Sequence, residues 1–306
     1  MTAIRGGARA HTNVDRRFVA PHPDSLHRSA DVGLFAQLEP TLFLVDGNNL
    51  LWRAAHSNRA PFDATDGRDL TPLFRFITKL RSAVGTYGVF AECVVCFDGA
   101  EAWSQRVEAD PTYKANREYE TKDLSFMGWL PEIRAALHCI GIATIEVIDQ
   151  EADDVIATLT AGAGGRPVRI LSTDRDYYQL ISPTTLIVNT RGRPALVGEA
   201  EIVDRFGVTA AQWCDFRAIA GDTSDGIPGL PGVGMTRAAA MLTDGKTLED
   251  LRSTLDVVAQ RWDDLARWRD LIRLRTDVDT GFVATGAPTA RLPSPSAVCA
   301  ALGLVD

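Results

Sequence analysis

The stretch Glu151-Ala152-Asp153-Asp154 is followed by an apolar run at 155–157, and together they predict the start of a helix that faces a core. Three carboxylates this close repel one another, and burial would add a desolvation cost. A divalent cation would compensate for both effects. Acids in a first turn also have a simpler explanation, because they complement the helix dipole and cap free N–H groups. Taken alone, the stretch leaves both interpretations open.

Short apolar runs typical of buried strands alternate with stretches of helical spacing between residue 41 and about residue 190. The strand-like runs lie at 42–45, 92–97, 143–148, 168–171 and 186–188, and the helical stretches begin at Leu50 or cover 73–84, 129–137 and 151–161. This alternation predicts a mostly parallel sheet built from βαβ units. Ligands of such sheets lie beyond the carboxyl ends of the strands. Asp46, Asp98, Asp174 and Asp176 all follow strand-like runs.

Composition and pattern divide the chain into four segments. Residues 1–40 are basic at first and lack periodicity, so we expect a mobile extension. Residues 41–196 form the predicted α/β domain, and residues 197–290 form a mostly helical subdomain with a glycine-rich stretch at 221–234. Residues 291–306 are expected to be a C-terminal tail. The helices of the subdomain are predicted at 199–206, 210–220, 235–243, 247–258 and 261–274.

The composition excludes several classes of protein. A hydrophobic content of 45% and a charged content of 24% over 306 residues are typical of a globular protein, and no apolar run approaches the roughly 20 residues of a membrane span. Because we see no secretory signal and the five cysteines are an odd number, we expect a cytoplasmic protein with free thiols. Cys93 and Cys96 fall inside a strand-like run, which favours a buried strand over a zinc site.

Six motifs occur in order between residue 41 and about residue 290. They are Val45-Asp46-Gly47, Phe97-Asp98, Tyr113-Lys114-Ala115-Asn116-Arg117, the acidic stretch at 151–154, Thr173-Asp174-Arg175-Asp176 with Gln179-Leu180, and Gly221 to Gly234 with Asp222 and Asp225. With these motifs the chain resembles the 5′-nuclease superfamily of flap endonucleases and 5′→3′ exonucleases, above all the nuclease domain of bacterial DNA polymerase I. The resemblance implies a PIN-like domain over 41–196 with a helical arch at about 100–127 and an H3TH subdomain, a helix-hairpin-helix variant, over 197–290.

The resemblance also implies a metal centre. Two divalent cations can activate the attacking water and stabilise the leaving oxygen during phosphodiester cleavage. Two or more Mg²⁺ or Mn²⁺ ions would be surrounded by nine carboxylates: Asp46, Asp98, Glu151, Asp153, Asp154, Asp174, Asp176, Asp222 and Asp225. Asp174 and Asp176 are our candidates for direct ligands, and Asp154 is expected to act more indirectly. With these nine set aside, the net charge of −8 becomes +1, so the acidity does not exclude a nucleic-acid partner.

Helical spacing supports two further expectations. Asp222 and Asp225 lie three residues apart, so a helical turn would place them on one face. Lys114 and Arg117 have the same spacing within the arch and are the catalytic candidates, because a cation can stabilise charge that develops on a phosphate. Tyr113 could stack on an unpaired base.

The glycine-rich stretch resembles the hairpin of an H3TH element. Gly229, Gly232 and Gly234 are expected to let backbone N–H groups face phosphates without reading bases, and the resemblance implies a K⁺ ion at the hairpin. Thr236 and Arg237 are included as DNA-binding candidates, although the family usually has a lysine-threonine pair at these positions. Gly226 also departs from the family, in which asparagine is frequent there.

The expected function is that of a stand-alone, metal-dependent 5′→3′ exonuclease and 5′-flap endonuclease in replication and repair. The expected substrates are DNA with 5′ flaps, nicks or free 5′ ends, and RNA–DNA primers. We expect a monomer in the bacterial cytoplasm, used at the nucleoid and not at a membrane. Two alternatives stay open: a DNA-junction binding protein with weak catalysis, and a PIN-like nuclease that acts mainly on RNA.

Overall fold

A six-stranded sheet forms the centre of the first domain in the computed structural model, which describes residues 40–57, 62–115, 125–191 and 195–305. The strands are β1 (Leu42–Asp46), β2 (Glu92–Phe97), β3 (Ala143–Glu146), β4 (Val168–Leu171), β5 (Thr185–Val188) and β6 (Leu196–Val197). Their order across the sheet is β3-β2-β1-β4-β5-β6. The first five are parallel and β6 is antiparallel to β5. The mobile extension predicted for residues 1–40 lies outside the described residues, except for Pro40.

The register of the sheet aligns the carboxyl ends of its central strands. Asp46 at the end of β1 is opposite Cys96 of β2, and Val45 is opposite Leu171, the last residue of β4. The chain leaves β1 towards β2 on one side and later returns to β4 on the other. The strand order therefore reverses between β1 and β4, which is where ligands of open α/β sheets bind.

Twelve α-helices lie within the described residues. They are α1 (Gly47–Ala55), α2 (Thr71–Tyr87), α3 (Ser104–Ala109), α4 (Leu130–Cys139), α5 (Ala152–Ala161), α6 (Glu199–Phe206), α7 (Trp213–Ala220), α8 (Met235–Met241), α9 (Leu248–Thr254), α10 (Asp256–Gln260), α11 (Trp262–Ile272) and α12 (Pro295–Ala301). No helix among the described residues is long and apolar enough to cross a membrane.

Both faces of the sheet are covered, which explains the continuous apolar runs of its strands. Phe43 and Val45 pack into a core with α1, α2 and α4, whereas Leu42 and Leu44 point to the opposite face. The core on that face includes α5 and continues without a break into the helical subdomain. The 3-10 helix Asp176–Leu180 contacts α5, β5 and α7 and so joins the subdomain to the sheet, and α7 packs against α11 inside the subdomain.

The C-terminal segment differs from the predicted tail. Residues 295–301 form α12, which packs against α2 and α4 on the first domain, with Val298 and Cys299 buried. The helix predicted at 247–258 is two helices, because the backbone of Leu255 is extended between α9 and α10. The helix predicted at 210–220 opens with a 3-10 turn, Ala210–Gln212, before α7 begins.

Glu92, the first residue of β2, fastens the returning segment that leads to α12. Its two carboxylate oxygens accept hydrogen bonds from Thr285 N at 2.7 Å and Gly286 N at 2.9 Å, and Arg166 pairs with it at 3.1 Å. Burial alone would raise the pKa of Glu92, but the hydrogen bonds from Thr285 and Gly286 outweigh it and hold the pKa below its usual value. This single carboxylate therefore joins three parts of the chain.

We expect Glu92→Gln to lower the free energy of unfolding by about 1–3 kcal/mol. A glutamine side chain has one acceptor oxygen in place of the two carboxylate oxygens, so one of the two backbone N–H groups loses its partner. A carboxyl group with a lowered pKa stabilises the fold above its unfolded pKa and loses that effect as the pH falls. The difference from the wild type should therefore be full at pH 7 and shrink below about pH 4. Chemical denaturation across pH measures this, with the exposed Glu101→Gln as control. An equal loss in both variants would contradict the assignment.

Candidate metal centre

Asp46 lies at the centre of the acidic edge, as the last residue of β1 and the N-cap of α1. One carboxylate oxygen accepts from Asn49 N at 2.9 Å, and the other accepts from Ser172 Oγ at 2.9 Å. Burial raises the pKa of Asp46 to about 7, and the nearby charges of Asp98 and Asp174 act in the same direction. These neutral donors therefore do not offset the cost of ionising this buried acid.

Asp98 and Asp153 extend the acidic edge towards α5. Asp98 follows β2, and its Oδ1 accepts from Ala152 N at 2.8 Å, so it caps the first turn of α5. Asp153 accepts a hydrogen bond from the buried Tyr177 hydroxyl. Burial raises the pKa of Asp153 well above its usual value, and the charges of Asp46 and other acids add to the shift. The side chain that caps the start of α5 is therefore that of Asp98, the residue after β2.

Asp174 and Asp176 lie on the loop after β4. Asp176 N donates to Asp174 Oδ1 at 3.0 Å, and Asp174 N donates to Ser172 Oγ at 3.0 Å, so the loop is held in a tight conformation. Burial raises the pKa of Asp176 well above its usual value, and the charges of Asp174 and Asp225 raise it further. The loop connects Asp46 on one side with the acids of the helical subdomain on the other.

Asp222 and Asp225 come from the helical subdomain, but they do not lie on a helical turn as predicted. Asp222 and Ile227 exchange two backbone hydrogen bonds of 2.8 Å, which close a six-residue turn between α7 and the hairpin. The prediction that helical spacing would bring these two acids together was therefore wrong. The turn nevertheless brings both acids to the edge, and carboxylate oxygens of Asp176, Asp222 and Asp225 lie within 4.8 Å of one another.

Glu151 and Asp154 pair with cations of the protein, as Asp222 does with Arg217. Arg106 contacts Glu151 at 2.5 Å and Asp154 at 2.8 Å, and Lys114 Nζ lies 2.5 Å from Glu151. The backbone N–H of Arg275 also donates to Asp154 at 2.8 Å. Both acids are almost fully buried. Their charge is thus compensated from within the chain, and the more indirect role expected for Asp154 stays a prediction.

The catalytic candidates of the arch are placed differently from the prediction. Lys114 lies in a turn over 111–115 and has a φ of +53°, so it is not on a helix face. Arg117 lies outside the described residues, as do all of residues 116–124, where much of the arch was predicted. The helix expected across the region is limited to α3 and a 3-10 helix, Ser125–Trp129, within its described parts.

Tyr113 is buried and does not present its ring for base stacking, contrary to the prediction. Its hydroxyl lies 3.2 Å from Glu151, and its ring lies under the Lys114 ammonium, 4.8 Å from Nζ to the ring centroid. Arg106 lies 5.8 Å from the same ring. Tyr113 therefore supports the two cations that pair with Glu151.

The glycine-rich stretch forms a connection between the Asp222 turn and α8. Gly229 has a φ of +70°, and a Cβ there would lie 2.4 Å from Gly221 N, so the two backbones approach closely. Gly232 and Gly234 are open, with nothing within 4 Å of a Cβ. Thr236 and Arg237 are exposed on α8, and Arg237 Nη1 donates to Gly232 O at 2.8 Å. The hairpin therefore presents backbone and one guanidinium to solvent.

An open cavity of about 640 Å³ runs from the acidic edge to this hairpin. Asp174, Asp176 and Asp222 line it on one side, and Gly234 and Met235 on the other. Carboxylate oxygens that face an open cavity are the donors that divalent cations prefer, and one of these acids, Asp176, has a pKa raised by burial. The residues present therefore fit a divalent metal centre.

Sequence patterns did not identify four residues that shape this edge. Arg106 and Arg217 pair with Glu151 and Asp222, and Ser172 and Tyr177 donate to Asp46 and Asp153. Ser172 and Tyr177 are close in sequence to Asp174, and this closeness could have indicated that they contact the acids. Arg106 and Arg217 lie in helices whose spacing reveals nothing about the acids they meet, so only the tertiary structure could identify them.

Comparisons with known proteins agree with this architecture. The sequence matches the family described as "5′-3′ exonuclease, N-terminal resolvase-like domain" over residues 41–207 and the family described as "5′-3′ exonuclease, C-terminal SAM fold" over residues 208–291. The predicted α/β fold with a second, helical domain is thereby confirmed.

Curated relatives include the thermostable DNA polymerase I of Thermus aquaticus, 34% identical over 258 residues, which are 80% of this chain and 30% of the relative. The DNA polymerase I of Synechocystis is 35% identical over 231 residues, 71% of this chain and 23% of the relative. The chain thus spans about a third or less of the length of these polymerases.

Solved structures show the same fold. A T5 5′-exonuclease with bound zinc has a TM-score of 0.64 and 23% identity, covering 77% of this chain and 90% of that chain. The T5 D15 flap endonuclease in a pseudo-enzyme-product complex with DNA and metal ions has a TM-score of 0.63 and 23% identity, covering 76% and 88%. Human GEN1 with Holliday junction DNA has a TM-score of 0.52 and 15% identity, covering 89% and 73%.

We expect Mg²⁺ to raise the melting temperature more at pH 8 than at pH 5.5. Without metal, the folded acids with raised pKa values, Asp46 among them, bind more protons than the unfolded chain, so stability falls as the pH rises from about 4 towards 7. Metal binding removes that penalty by mass action. Thermal melts in EDTA and in Mg²⁺ measure the difference, and Asp46→Asn should reduce it while the exposed Asp263→Asn does not. An equal shift at both pH values would contradict the metal assignment.

Proposed function

Because the chain belongs to the 5′-3′ exonuclease family, we propose that it is a structure-specific, metal-dependent 5′→3′ exonuclease and 5′-flap endonuclease. The observation that carries the proposal is the acidic edge itself. Acids from five separate segments meet at the end of a parallel sheet, and Asp46, Asp153 and Asp176 have pKa values raised by burial. A stable fold has no use for such a cluster unless cations bind there.

The nine predicted carboxylates divide into two proposed groups. Asp176, Asp222 and Asp225 form one proposed ligand set, and Asp46 and Asp153 are proposed to take part in a second. Asp174 remains a proposed direct ligand, and the charges of Asp98 and Asp174 both act on Asp46. Glu151 and Asp154 are held towards Arg106 and Lys114. Mg²⁺ or Mn²⁺ held by these sets would supply an activated water and charge stabilisation for phosphodiester hydrolysis.

Three cations of the chain contribute to the same edge. Lys114 is proposed to stabilise charge that develops on the phosphate, because its ammonium is positioned beside Glu151 by the Tyr113 ring. Arg106 is proposed to keep Glu151 and Asp154 in place. Arg217 pairs with Asp222 and lines the cavity, where it would favour an anionic substrate. Arg117 remains a proposed second catalytic cation.

The proposed substrates are DNA with 5′ flaps, nicks or free 5′ ends, and RNA–DNA primers. T5 and GEN1 neighbours that hold DNA support a DNA substrate. The exposed hairpin residues Gly232 and Gly234, together with Arg237 and the buried Gly229 that shapes the turn, are proposed to form the contact with phosphates of the duplex, with K⁺ as a further hairpin ligand. Such contacts position a duplex without reading its sequence. We propose that the protein acts as a monomer in the cytoplasm.

Asp176→Ala should reduce cleavage of a labelled 5′-flap DNA to background while binding of the same DNA is largely retained. The reason is that Asp176 belongs to the cluster whose oxygens lie within 4.8 Å of one another. Gel-based cleavage with Mg²⁺ and binding with Ca²⁺ measure the two properties, and the exposed Asp263→Ala is the control. Tight binding by a wild type that does not cleave would favour the junction-binding alternative, and faster cleavage of a matched RNA flap would favour the RNA alternative.

Arg237→Ala should weaken binding of duplex DNA and lower the steepness of its salt dependence by about one counterion. Arg237 is exposed and its guanidinium is held against the hairpin by Gly232 O. Fluorescence anisotropy over a salt series measures the effect, with the exposed Arg252→Ala on α9 as control. If neither affinity nor slope changes, the hairpin does not hold the duplex through this side chain.

A further inference from the structure

The turn that carries Lys114 is fastened to the turn that carries Asp225. Lys114 N donates to Asp225 O at 3.0 Å, which joins the base of the arch to the helical subdomain. The next residue, Gly226, has a φ of +76°, and a Cβ there would lie 2.6 Å from the carbonyl oxygen of Thr112. That atom belongs to the backbone, so it cannot rotate away as a flexible side chain would. The two turns can approach this closely only because residue 226 is glycine.

The Lys114 turn is held as a unit. Asp110 Oδ1 accepts from Thr112 N at 2.9 Å and from Thr112 Oγ1 at 2.6 Å, while Asp110 Oδ2 pairs with Arg267 at 3.1 Å. Lys114 itself has a φ of +53°, a conformation that a lysine adopts only when its surroundings impose it. A displacement of Thr112 would therefore be transmitted to Lys114.

The side chain of Lys114 shows what such a displacement would change. Its Nζ lies 2.5 Å from Glu151 and 4.8 Å from the centroid of the Tyr113 ring. The ammonium is therefore placed by contacts that include Glu151, Tyr113 and Trp103, and the backbone N–H is placed by the helical subdomain. The contact of the 110–115 turn with Gly226 therefore sets the distance between the Lys114 backbone and the groups that hold its ammonium.

We propose that Gly226 is a positioning residue for Lys114. Its missing side chain lets the 110–115 turn close on the 222–227 turn, and this contact sets the place of the Lys114 ammonium at the acidic edge. The inference rests on the proposed nuclease function and deepens it.

Gly226→Asn is the sharpest test, because asparagine tolerates a positive φ better than most residues and so adds mainly the clash. We expect the single-turnover rate on a 5′-flap DNA to fall by about tenfold to a hundredfold, as for misplacement of a reacting group by about 1 Å. The dissociation constant for the DNA should stay close to that of the wild type. Gly245→Asn is the matched control, since Gly245 has a φ of +73° and nothing lies within 4 Å of a Cβ.

A double-mutant cycle with Lys114→Ala separates positioning from general damage. If Gly226 acts through Lys114, then Gly226→Asn causes no further loss of rate in the Lys114→Ala background. Should Gly226→Asn melt well below Gly245→Asn, Gly226→Ala repeats the cycle with the same Cβ and a smaller side chain.

An unchanged rate in Gly226→Asn, or losses that multiply in the double variant, overturns the inference. Both results require a wild type that cleaves the flap. A wild type without cleavage contradicts the proposed function instead, so the two failures are distinguishable.

Discussion

The burial of like charges at one edge of a parallel sheet is the constraint on which the rest of the structure depends. Strands β1, β2 and β4 end side by side, so the acids that follow them meet whatever the connecting segments do. Each buried carboxylate loses hydration, and the neighbouring acids add repulsion, which is why the pKa values of Asp46, Asp153 and Asp176 are raised. The arch base, α5 and the helical subdomain are all arranged so that they reduce this electrostatic cost of burying carboxylates.

The charges of the acids at this edge are not all offset in the same way. Glu151 and Asp154 receive two cations from the arch base, and Asp222 receives Arg217. Asp46 and Asp153, by contrast, accept hydrogen bonds from neutral groups, Ser172 and Tyr177, which cannot offset their charge. The acids whose charge is offset by Arg or Lys side chains lie at the boundary of the site. Asp46 and Asp153, which accept hydrogen bonds from neutral groups, lie in its interior. The same division explains why the arch base and the Asp225 turn must meet, since Lys114 balances the edge only while its turn is held there.

Much of this arrangement could be predicted from the chain. The strands were recognisable because burial on both faces requires continuous apolar runs, and the acids at their ends followed from parallel pairing. The predicted helix face for Asp222 and Asp225 was wrong, because a spacing of three is equally compatible with a closed turn. The stacking role predicted for Tyr113 was wrong because its ring is buried beside Arg106 and Lys114 and its hydroxyl contacts Glu151. Arg106 gave no local signal, since its partners lie about 45 residues away.

The opening stretch at 151–154 shows the limit of local information. By itself the sequence determined that three acids begin α5 after a strand, because apolar periodicity and acidic residues in a first turn are local properties. It could not decide what each acid does. The tertiary structure turned Glu151 and Asp154 towards Arg106 and Asp153 towards the Tyr177 hydroxyl, and it supplied the cap of the helix from Asp98. Charge compensation acts through space between distant segments, so only the folded chain assigns it.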